Sequence, residues 1–280
     1  MDEELQLDLF NWDRVKVREG FMALARLDLT EANRIFEDVL SRWQGHPDAA
    51  AGLRMAGAWD ESLRRAETLQ KADAIAFLWE RIRSYPFGRS GEALRRGLIQ
   101  RAIALMEGDC YLHIPPDLCL GRLLFEVEDY LKAEEALKRL LERRPVDGGM
   151  LVCLGNCLFR QGKKSEARVV YARALLSVPW EVELDGIDDK EVVEAVADED
   201  IYSAAIRGWL RHVLPLVDVG VGSPHDRKHE EALRVYETVR RAEKARAKGV
   251  YEEMVEQRRR LRQVDSAVFL EYMGRMQCLL

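Results

Sequence analysis

Two stretches of this chain repeat one another at a fixed offset of 34 residues, and no other feature narrows the fold as much. The first runs from Asp117 through Leu120-Gly121, Leu124-Phe125 and Ala133 to Pro145. The second runs from Leu151 through Leu154-Gly155, Leu158-Phe159 and Ala167 to Pro179. A unit of this length cannot bury its apolar face alone, so neighbouring copies must stack to make a core. Gly121 and Gly155 fall inside helical patterns, where glycine costs about 1 kcal/mol against alanine. That cost makes sense where a second helix comes close. Ala133 and Ala167 supply a small facing site, Pro145 and Pro179 stop the second helix, and Gly162 loosens the turn between helices.

The pattern resembles the tetratricopeptide repeat, a helix–turn–helix unit with a Leu-Gly pair, a later small residue, an aromatic such as Tyr171 and a closing proline. The resemblance implies an all-α chain, a right-handed α-solenoid of helix pairs followed by a C-terminal helical module. It spans residues 13–179, most completely over 115–179, partially over 13–69 and divergently over 71–107. In the first of these partial units Gly20, Leu29, Ala32, Phe36 and Val39 fit, and Asp28 with Glu31 reads as a capping box. Gly57-Ala-Trp-Asp-Glu-Ser62 resembles the family's turn, so a short helix after Pro47 is expected to end there. Lys71–Tyr85 and Ser90–Met106 read as a further helix pair, with Gly97 standing where an aromatic is usual.

Past Pro179 the repeat stops. Residues 181–200 hold ten acids against Lys190, a net charge of −9 in a chain whose total is −6. The acidity is therefore local. Residues 180–214 read as an acidic segment and a capping helix carrying Trp209, and Pro215–Pro224 as an interdomain boundary. Residues 225–280 read as a helical hairpin or a short coiled coil. Val250, Met254, Gln257, Leu261, Val264 and Val268 step by alternating fours and threes.

Composition fits this architecture. Hydrophobic residues make up 48% and charged residues 33%, enough to bury a core and coat it. No stretch approaches the roughly 20 apolar residues that span a membrane. The opening residues carry acids where a secretory signal carries bases, which predicts a cytoplasmic protein. The five cysteines then read as reduced thiols. The acidic balance argues against a nucleic-acid binder. The run Arg258-Arg-Arg-Leu-Arg262, flanked by Glu252, Glu253, Glu256 and Asp265, reads as a solvated helix face.

Phosphate-cradling loops, nucleophile elbows and zinc-protease motifs are absent from the sequence, and no cofactor is expected. His225 and His229 stand one helical turn apart, as metal ligands can, and Glu230 or Asp226 could add an oxygen ligand, but the sequence does not pin down the third or fourth protein ligand a zinc site needs. Cys153 and Cys157 are spaced alike and read as buried, inert thiols.

The resemblance implies instead that the first helix of each repeat lines a concave groove for a peptide or protein. By alignment the groove positions are Leu118, Arg122, Phe125 and Glu126 in one repeat and Val152, Asn156, Phe159 and Arg160 in the next. Phe125 and Phe159 read equally well as core. Arg122, Asn156 and Arg160 suit an acidic or carboxylate-bearing partner. The lysine with which some relatives grip a C-terminal carboxylate is replaced here by Leu118 or Val152, against that particular ligand. Residues 181–200 read as a solvated run, with folding back over the groove as the alternative. The expected function is a non-enzymatic interaction scaffold, with C-terminal helices available for self-association. The competing reading is a metal-dependent regulator or enzyme whose site lies in the C-terminal module.

Overall fold

The computed structural model describes residues 2–109, 111–197, 200–219 and 224–277. The chain is all-α apart from one two-residue strand pair. In order, the elements are α1 (Asp2–Ala25), α2 (Leu29–Arg42), α3 (Pro47–Glu67), α4 (Lys71–Ser84), α5 (Gly88–Met106), β1 (His113–Ile114), β2 (Leu118–Cys119), α6 (Leu120–Glu126), α7 (Tyr130–Arg143), α8 (Gly148–Arg160) and α9 (Lys164–Ser177). Two 3-10 turns, Pro179–Glu181 and Leu184–Gly186, lead to α10 (Lys190–Val196). A third, Ile201–Ser203, precedes α11 (Ala204–Leu210), then α12 (Arg227–Ala247), α13 (Tyr251–Val264) and α14 (Ser266–Gln277). The chain forms two compact units, Met1–Asp129 and Tyr130–Leu280.

One turn geometry recurs after α1, α6 and α8. Leu27, Glu128 and Gly162 are left-handed, at φ 61°, 65° and 78°. The residue after each donates its N–H back to a carbonyl five positions earlier: Asp28 to Ala23, Asp129 to Leu124 and Lys163 to Leu158. Leu27, Glu128 and Gly162 themselves donate to Leu24, Phe125 and Phe159. These paired bonds make a Schellman ending, which satisfies the last free carbonyls of the helix. Counted from Gly20, Gly121 and Gly155, the left-handed residue comes seven positions later each time. The same turn closes α12, where Gly249 has φ 72° and Val250 donates to Ala245.

Within the first unit Phe36 of α2 is fully buried between two glycines. A Cβ on Gly20 would lie 2.5 Å from its ring, and one on Gly52 would lie 2.3 Å away. Only glycine lets α1 and α3 come that near. Asp28 caps α2 by accepting from the Glu31 N–H, the predicted half of the capping box. α5 packs on α1, and a Cβ on Gly97 would meet the Ala25 carbonyl oxygen at 2.3 Å. Gly97 is therefore a backbone contact rather than a stand-in for an aromatic.

Two local expectations are corrected. No turn interrupts Gly57–Ser62, because α3 is one continuous helix from Pro47 to Glu67. A single glycine costs too little to break a helix that buries Met55, Ala56 and Trp59 on one face. Trp59 stacks on Phe87 at a centroid distance of 5.7 Å with Tyr85 edge-on, an aromatic core rather than a turn residue. Leu118, expected on a first helix, lies instead in β2, paired with Ile114. The prolines at 115 and 116 lack N–H donors, so α6 starts late and runs only seven residues.

In the second unit, residues 215–219 do not read as a linker. Val217 is buried and donates its N–H to the Tyr236 hydroxyl at 2.7 Å, which ties this stretch to α12. The 4-3 spacing of the C-terminal run is interrupted at Asp265. Its carboxylate accepts from the Ala267 and Val268 N–H groups and starts α14 as a separate helix. Met254 and Leu261 are buried, while Val250 and Val264 are 43% and 46% exposed.

Candidate functional site

The aligned groove positions fall in both compact units. In the first unit, α6 carries Arg122, Phe125 and Glu126, each partly buried, and Leu118 is buried in β2. Glu126 accepts from Arg95 of α5 and lies 3.3 Å from Arg122 one turn earlier on its own helix. Arg96 donates to the Val127 carbonyl at 3.3 Å. The charge on α6 is thus balanced locally.

In the second unit, α8 carries Val152, Asn156, Phe159 and Arg160. Val152 and Phe159 are partly buried, and Asn156 is 4% exposed. α8 and α9 approach closely because Gly155 faces the Tyr171 ring. The Tyr171 hydroxyl donates to Asn156 Oδ1 at 2.7 Å. Burial and the nearby charges of Asp188 and Asp189 push the Tyr171 pKa upward. Asn156 Oδ1 also accepts from the Asp188 N–H at 3.0 Å, and its Nδ2 donates to the Gly186 carbonyl at 2.8 Å. Arg160, which is exposed, pairs with Asp188 at 2.6 Å.

The acidic segment is accordingly anchored on α8 and α9, while Glu183, Asp185 and Glu194 are exposed. Glu181 accepts from the Gly148 N–H at the start of α8, at 2.8 Å. Asp189, almost fully buried, pairs with Arg168 of α9 at 2.8 Å and also caps α10. Glu191 pairs with Arg168 and Lys164, and these hydrogen bonds lower its carboxyl to about 2. Val182, Ile187 and Val192 anchor the segment with buried side chains. The sequence shows ten acids but not the cations that receive Asp188, Asp189 and Glu191, which lie 21 to 28 residues away. Asp198 and Glu199 lie outside the described residues.

His229 is 4% exposed with both ring nitrogens engaged. Nδ1 accepts from the His225 N–H at 3.1 Å, and Nε2 lies 2.9 Å from the Leu176 carbonyl oxygen. No lone pair is left for a metal. The His225 ring stacks on Trp180 at 4.1 Å. Among the described residues no group of three or more His, Cys, Asp or Glu is arranged to hold a metal ion. Cys119, Cys153 and Cys157 are buried, and Cys110 and Cys278 lie outside the described residues. Arg258 leaves the basic run by turning onto the Tyr272 ring, 5.2 Å from its centroid.

Comparison with known families matches residues 119–179 to the tetratricopeptide repeat model. No curated protein and no solved structure matches the chain. Among the described residues no helix is long and apolar enough to cross a membrane.

Proposed function

We propose that this chain, whose residues 119–179 are tetratricopeptide repeats, is a non-enzymatic scaffold that binds another protein or a peptide on the first helices of its repeats. Repeats of this family generally mediate protein–protein interaction. The observation that carries the reading is the pair Phe125 and Phe159. They occupy the same position of successive repeats, 34 residues apart, and each stays only partly buried where the core has taken Leu124 and Leu158. An aromatic ring left half-covered at a repeated position is a natural anchor for a partner. On α8, Val152, two turns before Phe159, is likewise partly buried.

Asn156 and Arg160 serve a different purpose in this reading. Both are engaged by residues 186–188, so an acidic partner at Arg160 meets Asp188 beside it. Binding on α8 is centred on Phe159 and Val152, with the acidic segment as its border.

Affinity capture tests this with the full chain and the variant Phe125→Glu/Phe159→Glu. The expected result is a specific co-purifying protein retained by the wild type and lost from a variant whose circular dichroism and melting are near normal. Undiminished capture by the folded variant would refute the groove assignment.

A further inference from the structure

The C-terminal hairpin carries a second surface whose charge is left uncompensated. α12 and α13 run antiparallel from the tight turn at Gly249, and a crease follows their junction. Two cavities of about 480 and 440 Å³ lie along it and share Glu237, Arg241 and Gln257 as lining. Glu230, Arg234, Glu237, Arg241, Lys244 and the C-cap Lys248, all bordering the crease, step by alternating fours and threes. They therefore form one continuous helix edge of roughly 27 Å at about 1.5 Å per residue.

The ionic pairing along this edge is uneven. Arg234 is matched by Glu230, Arg241 by Glu237, and Arg240 by Glu237 and Asp218. Lys244, Lys248 and Arg260 are exposed, and among the described residues they have no ion pair or side-chain hydrogen bond. This contrasts with α6 and α8, where Arg122 and Arg160 are paired within the chain. Free cations stand elsewhere on the surface too, Arg259 and Arg262 among them, but Lys244, Lys248 and Arg260 are gathered along the α12–α13 crease.

We propose that the α12–α13 crease is a docking groove for an acidic peptide segment of a partner protein. Three unmatched cations along a groove with Leu233 and Val264 on its walls suit carboxylates spaced by apolar or small residues. A nucleic-acid strand fits less well. Glu237 and Glu253 stand in the same crease and would face its phosphates, and no aromatic side chain lines either cavity to stack a base. An extended peptide of about eight residues spans the edge. This site is independent of the repeat groove, so each can fail while the other stands.

The test uses the full chain and a fluorescein-labelled peptide of about eight residues alternating Glu and Ala, read by anisotropy. A Gln-Ala peptide and an oligothymidylate serve as comparison probes. The charge reversal Lys244→Glu/Arg260→Glu should weaken the Glu-Ala peptide about tenfold or more. The reversal Arg259→Glu/Arg262→Glu, equal in charge and exposed on α13 outside the crease, should change it no more than about twofold. Folding of each variant is checked by circular dichroism. Equal losses in the two variants, equal binding of the Gln-Ala peptide, or tighter binding of oligothymidylate would each overturn the proposal.

Discussion

The Cβ that Gly155 lacks would lie 2.3 Å from Cε1 of Tyr171, closer than any side chain can sit. Gly20 and Phe36 stand in the same relation in the first unit, and both pairs are 16 residues apart. Tyr171 cannot retreat, since it is fully buried and its hydroxyl is bound to Asn156. Gly155→Ala should therefore destabilise the protein by about 1–3 kcal/mol through overpacking. Combining it with Tyr171→Leu should recover part of the loss, a coupling that a double-mutant cycle reads directly. A Gly155→Ala protein that melts with the wild type would show that α8 and α9 are not held at this distance.

The left-handed turns offer a stabilising change. Glu128 adopts φ 65° at the position where the next repeat has Gly162. A left-handed non-glycine residue costs roughly 1–2 kcal/mol, offset in part by glycine's larger freedom in the unfolded chain. Glu128→Gly should raise the urea midpoint by an amount equivalent to about 0.5–1 kcal/mol. Gly162→Ala should lower it by a similar amount. Shifts of opposite sign would mean that the Glu128 side chain supplies stabilisation the turn geometry does not explain.

Some of this was legible in sequence and some was not, for physical reasons. Gly155, Ala167 and Tyr171 announce a close helix contact because glycine and alanine at helical positions have a steric meaning independent of context. The single helix across Gly57 was hidden because a turn motif and a helix differ there by about the cost of one glycine. Buried Met55 and Trp59 decide the matter through tertiary contacts. Asn156 read as a ligand-facing polar group because its partners, Gly186 and Asp188, are about 30 residues away. The unmatched cations of the α12–α13 crease were masked by neighbouring glutamates, since sequence proximity does not tell which pairs form.

Asn156 should behave as a structural residue. It makes three hydrogen bonds, to Tyr171, Asp188 and Gly186, at a site only 4% exposed. Asn156→Ala strands the buried Tyr171 hydroxyl and removes the partner of the Asp188 N–H and the Gly186 carbonyl, so a loss of about 1–3 kcal/mol is expected. Hydrogen exchange at the Asp188 amide should accelerate beyond the global change, because its acceptor is gone. Arg160→Ala should cost about 1 kcal/mol or less, as an exposed partner of Asp188. Equal and negligible losses from both would return Asn156 to the ligand-facing surface.

Glu134 gives the fold a defined acid response. Burial alone would raise its pKa, but hydrogen bonds from Lys138, Lys163 and Gln161 outweigh that and lower it from 4.5 to about 2. The Gln161 and Lys163 bonds, at 2.8 and 2.9 Å, tie the turn between α8 and α9 back to α7. A depressed carboxylate stabilises the fold wherever it is ionised in the unfolded chain too. That contribution is complete above about pH 5 and is lost as the pH falls from about 4.5 toward 2. Glu134→Gln removes the charge, so its stability deficit against wild type should be largest near neutrality and shrink progressively below pH 4.5. Urea midpoints of the two proteins from pH 7 to pH 3 measure this, and taking the difference cancels the titration of other carboxylates. A deficit that stays constant over that range would mean that the network is held by packing rather than by the ionised carboxylate.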